Sequence, residues 1–315
     1  MVKTFMSVIK ELKGEDYVHS SNTLFHFMNS SNYLTDALKR KALCPRYCNE
    51  DISYLNIVHK EDRFSEISIL QKCFCDIPLH NIIRKFPIEL KENNNLTEDQ
   101  LRIIPKECSH PDFYGKYAIA FSKNWGEQNK LQPVHYLSEQ SECTSQFSRM
   151  FCELLEEDDL PASISDALLN WLCYFKPLRG DMRRRFVSNG ADSTEAVECV
   201  IYKNFHDEHE WRYVPIGKSI NGDPLDCLIA NDAVKSGVLK EVSDELEKDE
   251  YQEIWLKFQY EDIRYIIVPD KSGRLELIKT IRMLPDDLFL MDDIDVQRDI
   301  LISKILVFDE IIKDF

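Results

Sequence analysis

The sequence lacks any apolar run close to the roughly 20 residues that a membrane-spanning helix needs. Charged residues interrupt the apolar start MVKTFMSVIKELKGEDYV, so no secretory signal is predicted either. Positive charge is also scarce, because 39 Lys and Arg face 55 Asp and Glu and leave a net charge of −16. The phosphate backbone of a duplex would repel such a surface, so generic nucleic-acid binding is not expected. We therefore expect a cytoplasmic protein that does not act in a membrane.

Recognisable metal-binding spacing is missing as well. The ten cysteines include two close pairs, Cys44/Cys48 and Cys73/Cys75, but these do not make the two-plus-two ligand set of a zinc ribbon. The stretch HDEHEWRYVP (206–215) lacks the H-E-x-x-H order of helical zinc peptidases. Its two histidines, three positions apart, would point to opposite faces of a strand. We expect reduced thiols and no metal site.

The chain instead has an ordinary globular composition, with 43% hydrophobic and 11% aromatic residues. Period-two and helical spacings predict one α+β domain over residues 1–315. The predicted strands lie in SNTLFHFM (21–28), ISILQKCFCDIPL (67–79), YGKYAIAFSKNWG (114–126), ECVIYKNF (198–205), HEWRYVPI (209–216) and EDIRYIIVP (261–269). The predicted helices are SVIKELKGEDY (7–17), SNYLTDALKRKALCP (31–45), 229–238, a helical insertion at about 138–186 and a C-terminal helical segment at about 285–315.

Glu208 and Glu210 are the residues of the acidic stretch that could act together. On a strand, positions i and i+2 share a face, which would place the two carboxylates about 7 Å apart. Such a pair could polarise a hydroxyl and position a second group. A charged edge strand that guards against aggregation fits the same spacing. The spacing alone leaves both interpretations open.

Two further features have a structural and a functional interpretation. His26 lies in the apolar stretch LFHFM and is either a hydrogen-bonded core histidine or a site residue. The basic run KPLRGDMRRR (176–185) is either a solvated loop or a contact for an anionic partner. We predict that Arg183, Arg184 and Arg185 of this run bind a partner.

Seven ordered motifs resemble the abortive-infection AbiGi family. They are SNTLFHFM, CPRYCNED, QKCFCDIPL, YGKYAIAFSKNWG-x6-PVHY, YFKPLRG, DEHEWRYVP and EDIRYIIVPD, and together they span nearly all of residues 20–280. The resemblance implies a role in defence against phages. It also implies an antitoxin that binds and neutralises or regulates a partner toxin, since members of the family are described as antitoxins.

A more distant resemblance is to the ADP-ribosyltransferase fold, which has a mixed or antiparallel split β core around NAD. It rests on a histidine in an early strand, an F-C-D turn after a second strand, and the Glu-x-Glu of a late strand. The resemblance implies that His26 bonds a ribose hydroxyl of NAD. It also implies that Glu210, or Glu208 beside it, bonds a ribose hydroxyl and stabilises the positive charge that develops as nicotinamide leaves.

The same resemblance implies further cofactor-binding residues. Arg46 would pair with the pyrophosphate of NAD through its guanidinium, Asp76 closes the middle motif CFCD, and Tyr114 would supply a stacking ring. The middle motif departs from the family pattern because it has no Ser or Tyr. Two functions follow as alternatives: an NAD-dependent enzyme that moves ADP-ribose to a protein or nucleic-acid acceptor, or a non-catalytic antitoxin.

Overall fold

The structure is a computed structural model, and it describes residues 21–91, 95–157, 159, 161–187, 195–220, 222–230, 237–289 and 293–314. The helix predicted over residues 7–17 lies outside these ranges. Within them the chain forms an α+β fold with a main sheet of mixed, largely antiparallel strands, as predicted. Among the described helices, none is long and apolar enough to cross a membrane.

The strands follow in chain order along the described residues. They are β1 Thr23–Met28, β2 Ala42–Leu43, β3 Arg46–Asp51, β4 Val58–His59, β5 Asp62–Arg63, β6 Glu66–Cys75, β7 Phe86–Pro87, β8 Glu89–Leu90, β9 Glu107–Cys108, β10 Tyr117–Ser122, β11 Gln132–Pro133, β12 His135–Leu137, β13 Phe175–Pro177, β14 Arg179–Val187, β15 Ala196–Asn204, β16 Glu210–Tyr213, β17 Ser219–Ile220, β18 Asp223–Pro224, β19 Leu228–Ala230, β20 Leu256–Lys257, β21 Ile263–Val268 and β22 Ile305–Val307.

The α-helices connect and cover these strands. They are α1 Ser31–Arg40, α2 Leu79–Ile82, α3 Glu98–Ile103, α4 His110–Tyr114, α5 Lys123–Gln128, α6 Glu142–Leu155, α7 Ala162–Leu172, α8 Val238–Glu245, α9 Lys271–Arg282, α10 Ile294–Ser303 and α11 Phe308–Asp314. Helix α1 begins where the Ser30 side chain accepts from the amide of Asn32, and it ends where Lys41 takes a left-handed conformation. Its apolar stripe of Leu34, Ala37 and Leu38 is buried against the main sheet.

The main sheet has the order β11-β16-β6-β1-β10-β21-β22, and the long strand β6 is its centre. The first half of β6 pairs with β3 and β19, whereas its second half pairs with β16 and, at a single position, β1. A ten-residue strand with apolar residues on both faces is long enough to accept different partners along each edge. The strands around β6 therefore form two groups that share one strand.

A gap opens between β1 and β3 along one edge of β6. The amide of Leu70 donates to the carbonyl of Cys227, which precedes β19, and the amide of Asp76 donates to the carbonyl of His209, which precedes β16. Strands β19 and β16 therefore lie along the other edge of β6. On the gap edge, pairing with β3 ends at Gln71, and β1 pairs only at Cys75. Residues 72–74 therefore have no strand partner on this edge, and we call this opening the β1–β3 gap.

Three predicted helical regions differ from the structure. The range 138–186 does contain helices α6 and α7, but its last part forms the strands β13 and most of β14. The C-terminal segment is not one helix, because Ile305–Val307 joins the main sheet in parallel with β21. Three successive apolar residues with two β-branched side chains favour a buried strand there once a sheet edge is available. The range predicted as a helix at 229–238 contains the end of β19 and the first residue of α8, with 231–236 outside the described residues.

Candidate functional site

A cavity of about 330 Å³ lies at the β1–β3 gap. Its wall includes five residues that the sequence singled out, which come from distant parts of the chain: His26, Arg46, Tyr114, Glu208 and Glu210. Pockets of this size accommodate small molecules. The fold therefore brings most of the predicted site residues to one place.

His26 is held in a defined tautomer at the edge of the gap. Its Nδ1 lies 2.8 Å from the carbonyl oxygen of Cys73, one of the β6 groups left without a strand partner. A carbonyl only accepts, so Nδ1 carries the proton and Nε2 of the neutral ring is a hydrogen-bond acceptor. Burial, together with the charge of Lys72, lowers the pKa of His26 to about 3, so the ring is neutral near pH 7.

The prediction that Glu208 and Glu210 share one face of a strand is wrong. Glu208 ends a 3-10 turn (Phe205–Glu208), and Glu210 begins β16. Between them His209 has a φ of 43°, in the left-handed region. The turn and this reversal, rather than strand alternation, direct both carboxylates toward one ammonium group.

That ammonium group belongs to Lys176 on β13, which bridges the two carboxylates. Its Nζ lies 3.1 Å from Glu208 Oε2 and also pairs with Glu210. Lys203 pairs with Glu208, and Arg212 Nε donates to Glu210 at 2.6 Å. All five side chains are buried. Burial would raise the pKa values of both carboxyl groups, but the surrounding cations outweigh it and lower them, so both are ionised.

Tyr114 connects this ion network to the aromatic wall of the cavity. Its hydroxyl donates to Glu208, and burial together with that carboxylate raises its pKa well above the usual value. Its ring lies 4.6 Å from the ring of His110, which in turn is 5.0 Å from Phe27. Burial lowers the pKa of His110 to about 4, so a second neutral histidine lines the cavity. Sequence reasoning did not single out His110.

Arg46 lies in the wall of the cavity, but its guanidinium already has partners. It donates to Asp244 of α8 at 2.6 Å and to Glu247, which follows that helix. Asp76 is placed elsewhere, because its carboxylate pairs with the buried ammonium of Lys123 and does not line the cavity. The structure therefore does not bring Asp76 into the site.

Two polar residues of β6 that the sequence did not predict as site residues, Gln71 and Lys72, also line the cavity. Gln71 Nε2 donates to Glu50 at 2.8 Å, whereas its Oε1 has no partner among the described groups. Lys72 is half-buried, and its ammonium forms no ion pair or hydrogen bond within the described ranges. A Gln-Lys pair inside the apolar run ISILQKCFC is unusual for a buried strand, and this pattern could have identified the two residues from the sequence.

The basic run is largely a strand, not a loop. Arg179–Val187 pairs with β15 along its whole length. Alternation exposes Arg183 and Arg185, whereas Arg184 turns to the other face and donates to the backbone carbonyl of Phe113. Arg183 and Arg185 are thus accessible to a partner, whereas the side chain of Arg184 binds the backbone of the same protein.

No three His, Cys, Asp or Glu side chains of the described ranges cluster closely enough to hold a metal ion.

Comparison with known proteins gives the family. Residues 104–269 match the family model described as "Putative abortive phage resistance protein AbiGi, antitoxin". An "Abortive phage resistance protein AbiGi" of Lactococcus lactis subsp. cremoris is 33% identical over 283 residues, which cover 87% of this chain and 100% of that protein. The chain belongs to the AbiGi family. Abortive phage resistance is therefore its setting, as the seven motifs predicted, and no solved structure matches the chain.

Proposed function

We propose that this AbiGi-family chain binds NAD at the β1–β3 gap and transfers ADP-ribose during abortive infection. The observation that supports the proposal is the convergence of His26, Tyr114, Glu208 and Glu210 on one cavity beside a split in the sheet. Tyr114 and Glu208 are 94 positions apart in sequence, and His26 is still farther from the two glutamates. Residues that the resemblance singled out by their order along the chain thus line the same cavity.

His26 and Glu210 would have the central roles. The neutral His26 ring accepts a hydrogen bond from a ribose hydroxyl through Nε2. Glu210, ionised in the network, faces the positive charge that develops on the ribose. The bond between ribose C1′ and the nicotinamide nitrogen breaks, and its electron pair leaves with nicotinamide. A hydroxyl or amine of the acceptor bonds to C1′ and releases its proton to water.

Lys176 sets a condition on this chemistry. Its ammonium pairs with both carboxylates, so it reduces the negative field that Glu210 exerts on a bound ribose. Glu208 has a second cation in Lys203 and Glu210 has one in Arg212. A ribose hydroxyl could replace Lys176 at Glu210 while the ammonium stays with Glu208.

Release of nicotinamide from NAD by the purified chain tests the proposal, with candidate acceptors and phage lysate added. The Glu210→Gln variant should lose the activity, whereas Glu142→Gln, an exposed glutamate at the start of α6, should retain it. Circular dichroism must show both variants folded. Wild-type protein that releases no nicotinamide under any of these conditions would refute the enzymatic proposal.

An antitoxin is the second candidate, and the description of the matched family as an antitoxin favours it. The insertion also exposes large apolar side chains on α7, with Trp171 58% and Ile164 44% exposed, as protein-binding surfaces often do. Co-expression with the product of the neighbouring gene tests this function. If Glu210→Gln suppresses that product's toxicity as well as wild type does, binding rather than catalysis is the function.

A further inference from the structure

Two cavities, not one, open at the β1–β3 gap. A second cavity of about 310 Å³ lies against α1, with Tyr33, Ala37 and Arg40 in its wall. Four residues lie in the walls of both cavities: His26, Phe27, Arg46 and Lys72. The two spaces therefore adjoin at these residues.

The strand register places the two cavities toward opposite faces of the sheet. Cys75 pairs with both Phe25 and Glu210, so these three side chains share one face. His26 and Lys72 are an odd number of positions from Phe25 and Cys75, so their side chains leave from the other face. The buried stripe of α1 packs on that face. A ligand that occupied both cavities would pass through the gap.

Lys72 places an unneutralised cation at this junction. Arg46 is a second cation in both walls, but Asp244 and Glu247 neutralise its guanidinium, whereas the Lys72 ammonium has no ion-pair partner within the described ranges. Burial lowers the pKa of its ammonium, although nearby cysteines and the Glu247 carboxylate oppose the shift. A desolvated charge without a partner is destabilising, so its position is better explained by an anionic ligand than by stability.

Two hydrogen-bond acceptors without partners among the described groups line the same cavity as this cation. Gln71 is 2% exposed, and its Oε1 has no partner among the described groups. His26 Nε2 is an acceptor because Nδ1 is bonded to the Cys73 carbonyl. The site thus offers a cation for an anionic group and two acceptors for hydroxyl or amine donors, which is the complement of a sugar phosphate.

We propose that the two cavities form one binding site for a nucleoside diphosphate derivative, with the diphosphate on Lys72 at the gap. One half of the ligand lies beside Gln71, Tyr114 and the glutamates, and the other half lies against α1. Lys72, not Arg46, is the phosphate-binding residue of this site. The identity of the ligand as NAD rests on the proposed function, but the phosphate site itself does not.

Titration calorimetry with ADP-ribose, ADP and adenosine tests the proposal. Lys72→Met should weaken ADP-ribose and ADP at least about tenfold and leave adenosine unchanged, because only the first two present a diphosphate to the ammonium. Lys72→Arg should retain part of the affinity. Lys39→Met is the matched control: it removes an exposed charge on α1 that lies outside both walls, and it should change nothing.

Thermal unfolding separates a binding role from a structural one. Removing an unpaired, half-buried charge should leave the unfolding temperature of Lys72→Met equal to or higher than that of wild type. Equal ADP affinity in Lys72→Met and wild type, or no binding of ADP-ribose by wild type, would overturn the proposal. Binding of ADP-ribose that depends on Lys72, without nicotinamide release from NAD, would uphold this site and refute the enzymatic function. Undiminished nicotinamide release by Lys72→Met would refute this site and uphold the enzymatic function.

Discussion

A double-mutant cycle on Glu210 and Lys176 should reveal how strongly the buried ion network stabilises the fold. Glu210→Gln keeps the side-chain shape but removes the charge that faces Lys176 and Arg212. All three residues are buried, with Arg212 at 0% and Glu210 at 4% exposure. Removal of one partner from a buried ion pair costs about 3–5 kcal/mol, because the other charge stays desolvated. We expect Glu210→Gln to lower the free energy of unfolding by this amount.

Lys176→Met should cost about as much, since it leaves two carboxylates with one cation fewer. The double variant removes one charge of each sign and restores the balance. Its loss should therefore be smaller than the summed single losses by at least about 1 kcal/mol. Urea unfolding of the four proteins at one temperature and pH measures this difference.

Additive losses, within about 0.5 kcal/mol, would show that the two side chains do not interact as the structure indicates. The same double variant also separates stability from catalysis. If Glu210 is catalytic, the variant stays inactive toward NAD although much of its stability is recovered. Recovered nicotinamide release would mean that Glu210 only balances charge, and the mechanism above would be wrong.

Two further predictions concern the histidines and the arginines. The pKa values of His26 and His110 are lowered to about 3 and about 4, below the usual 6.5, so the unfolded chain binds more protons than the folded one between pH 6.5 and 4.5. The two histidines therefore destabilise the fold only below pH 6.5, and the free energy of unfolding should fall by roughly 2 kcal/mol or more toward pH 5. Urea unfolding at pH 7 and pH 5 measures this fall. An unchanged free energy of unfolding would mean that both rings are protonated in the folded protein. Replacing both Arg183 and Arg185 by Ala should leave the unfolding temperature unchanged, whereas Arg184→Ala should lower it by several degrees through loss of the contact with the Phe113 carbonyl. Equal unfolding temperatures for the two variants would contradict the inward orientation of Arg184.

Regular elements with local signals could be predicted from the sequence alone. The period-two pattern of YAIAFS and the apolar run of IRYIIV are strands β10 and β21. The helical spacing after Ser30 is α1, with its buried stripe and its cap. These patterns work because side-chain direction follows from the backbone repeat, so one face of each element can be read without knowing its neighbours. The ordered motifs likewise identified the family.

Local patterns misassigned segments whose conformation depends on a distant partner. Ile305–Val307 continues a helical pattern, yet it becomes a strand because β21 presents an open edge about 40 residues earlier in sequence. Arg179–Val187 looks like a solvated basic loop, yet pairing with β15 orders it. In both cases hydrogen bonds to another strand outweigh the intrinsic preference of the segment.

The site depended on tertiary structure still more. Residue type and motif order pointed to His26 and Glu210, but only the β1–β3 gap shows that both line one cavity. The gap exists because β6 pairs with β3 over its first half and with β1 only at Cys75, and no local pattern records where pairing along an edge stops. The same break leaves the Cys73 carbonyl for His26 and places Lys72 at the opening. Pairing between remote strands, rather than the composition of any one strand, thus decided which polar groups in the gap have no strand partner.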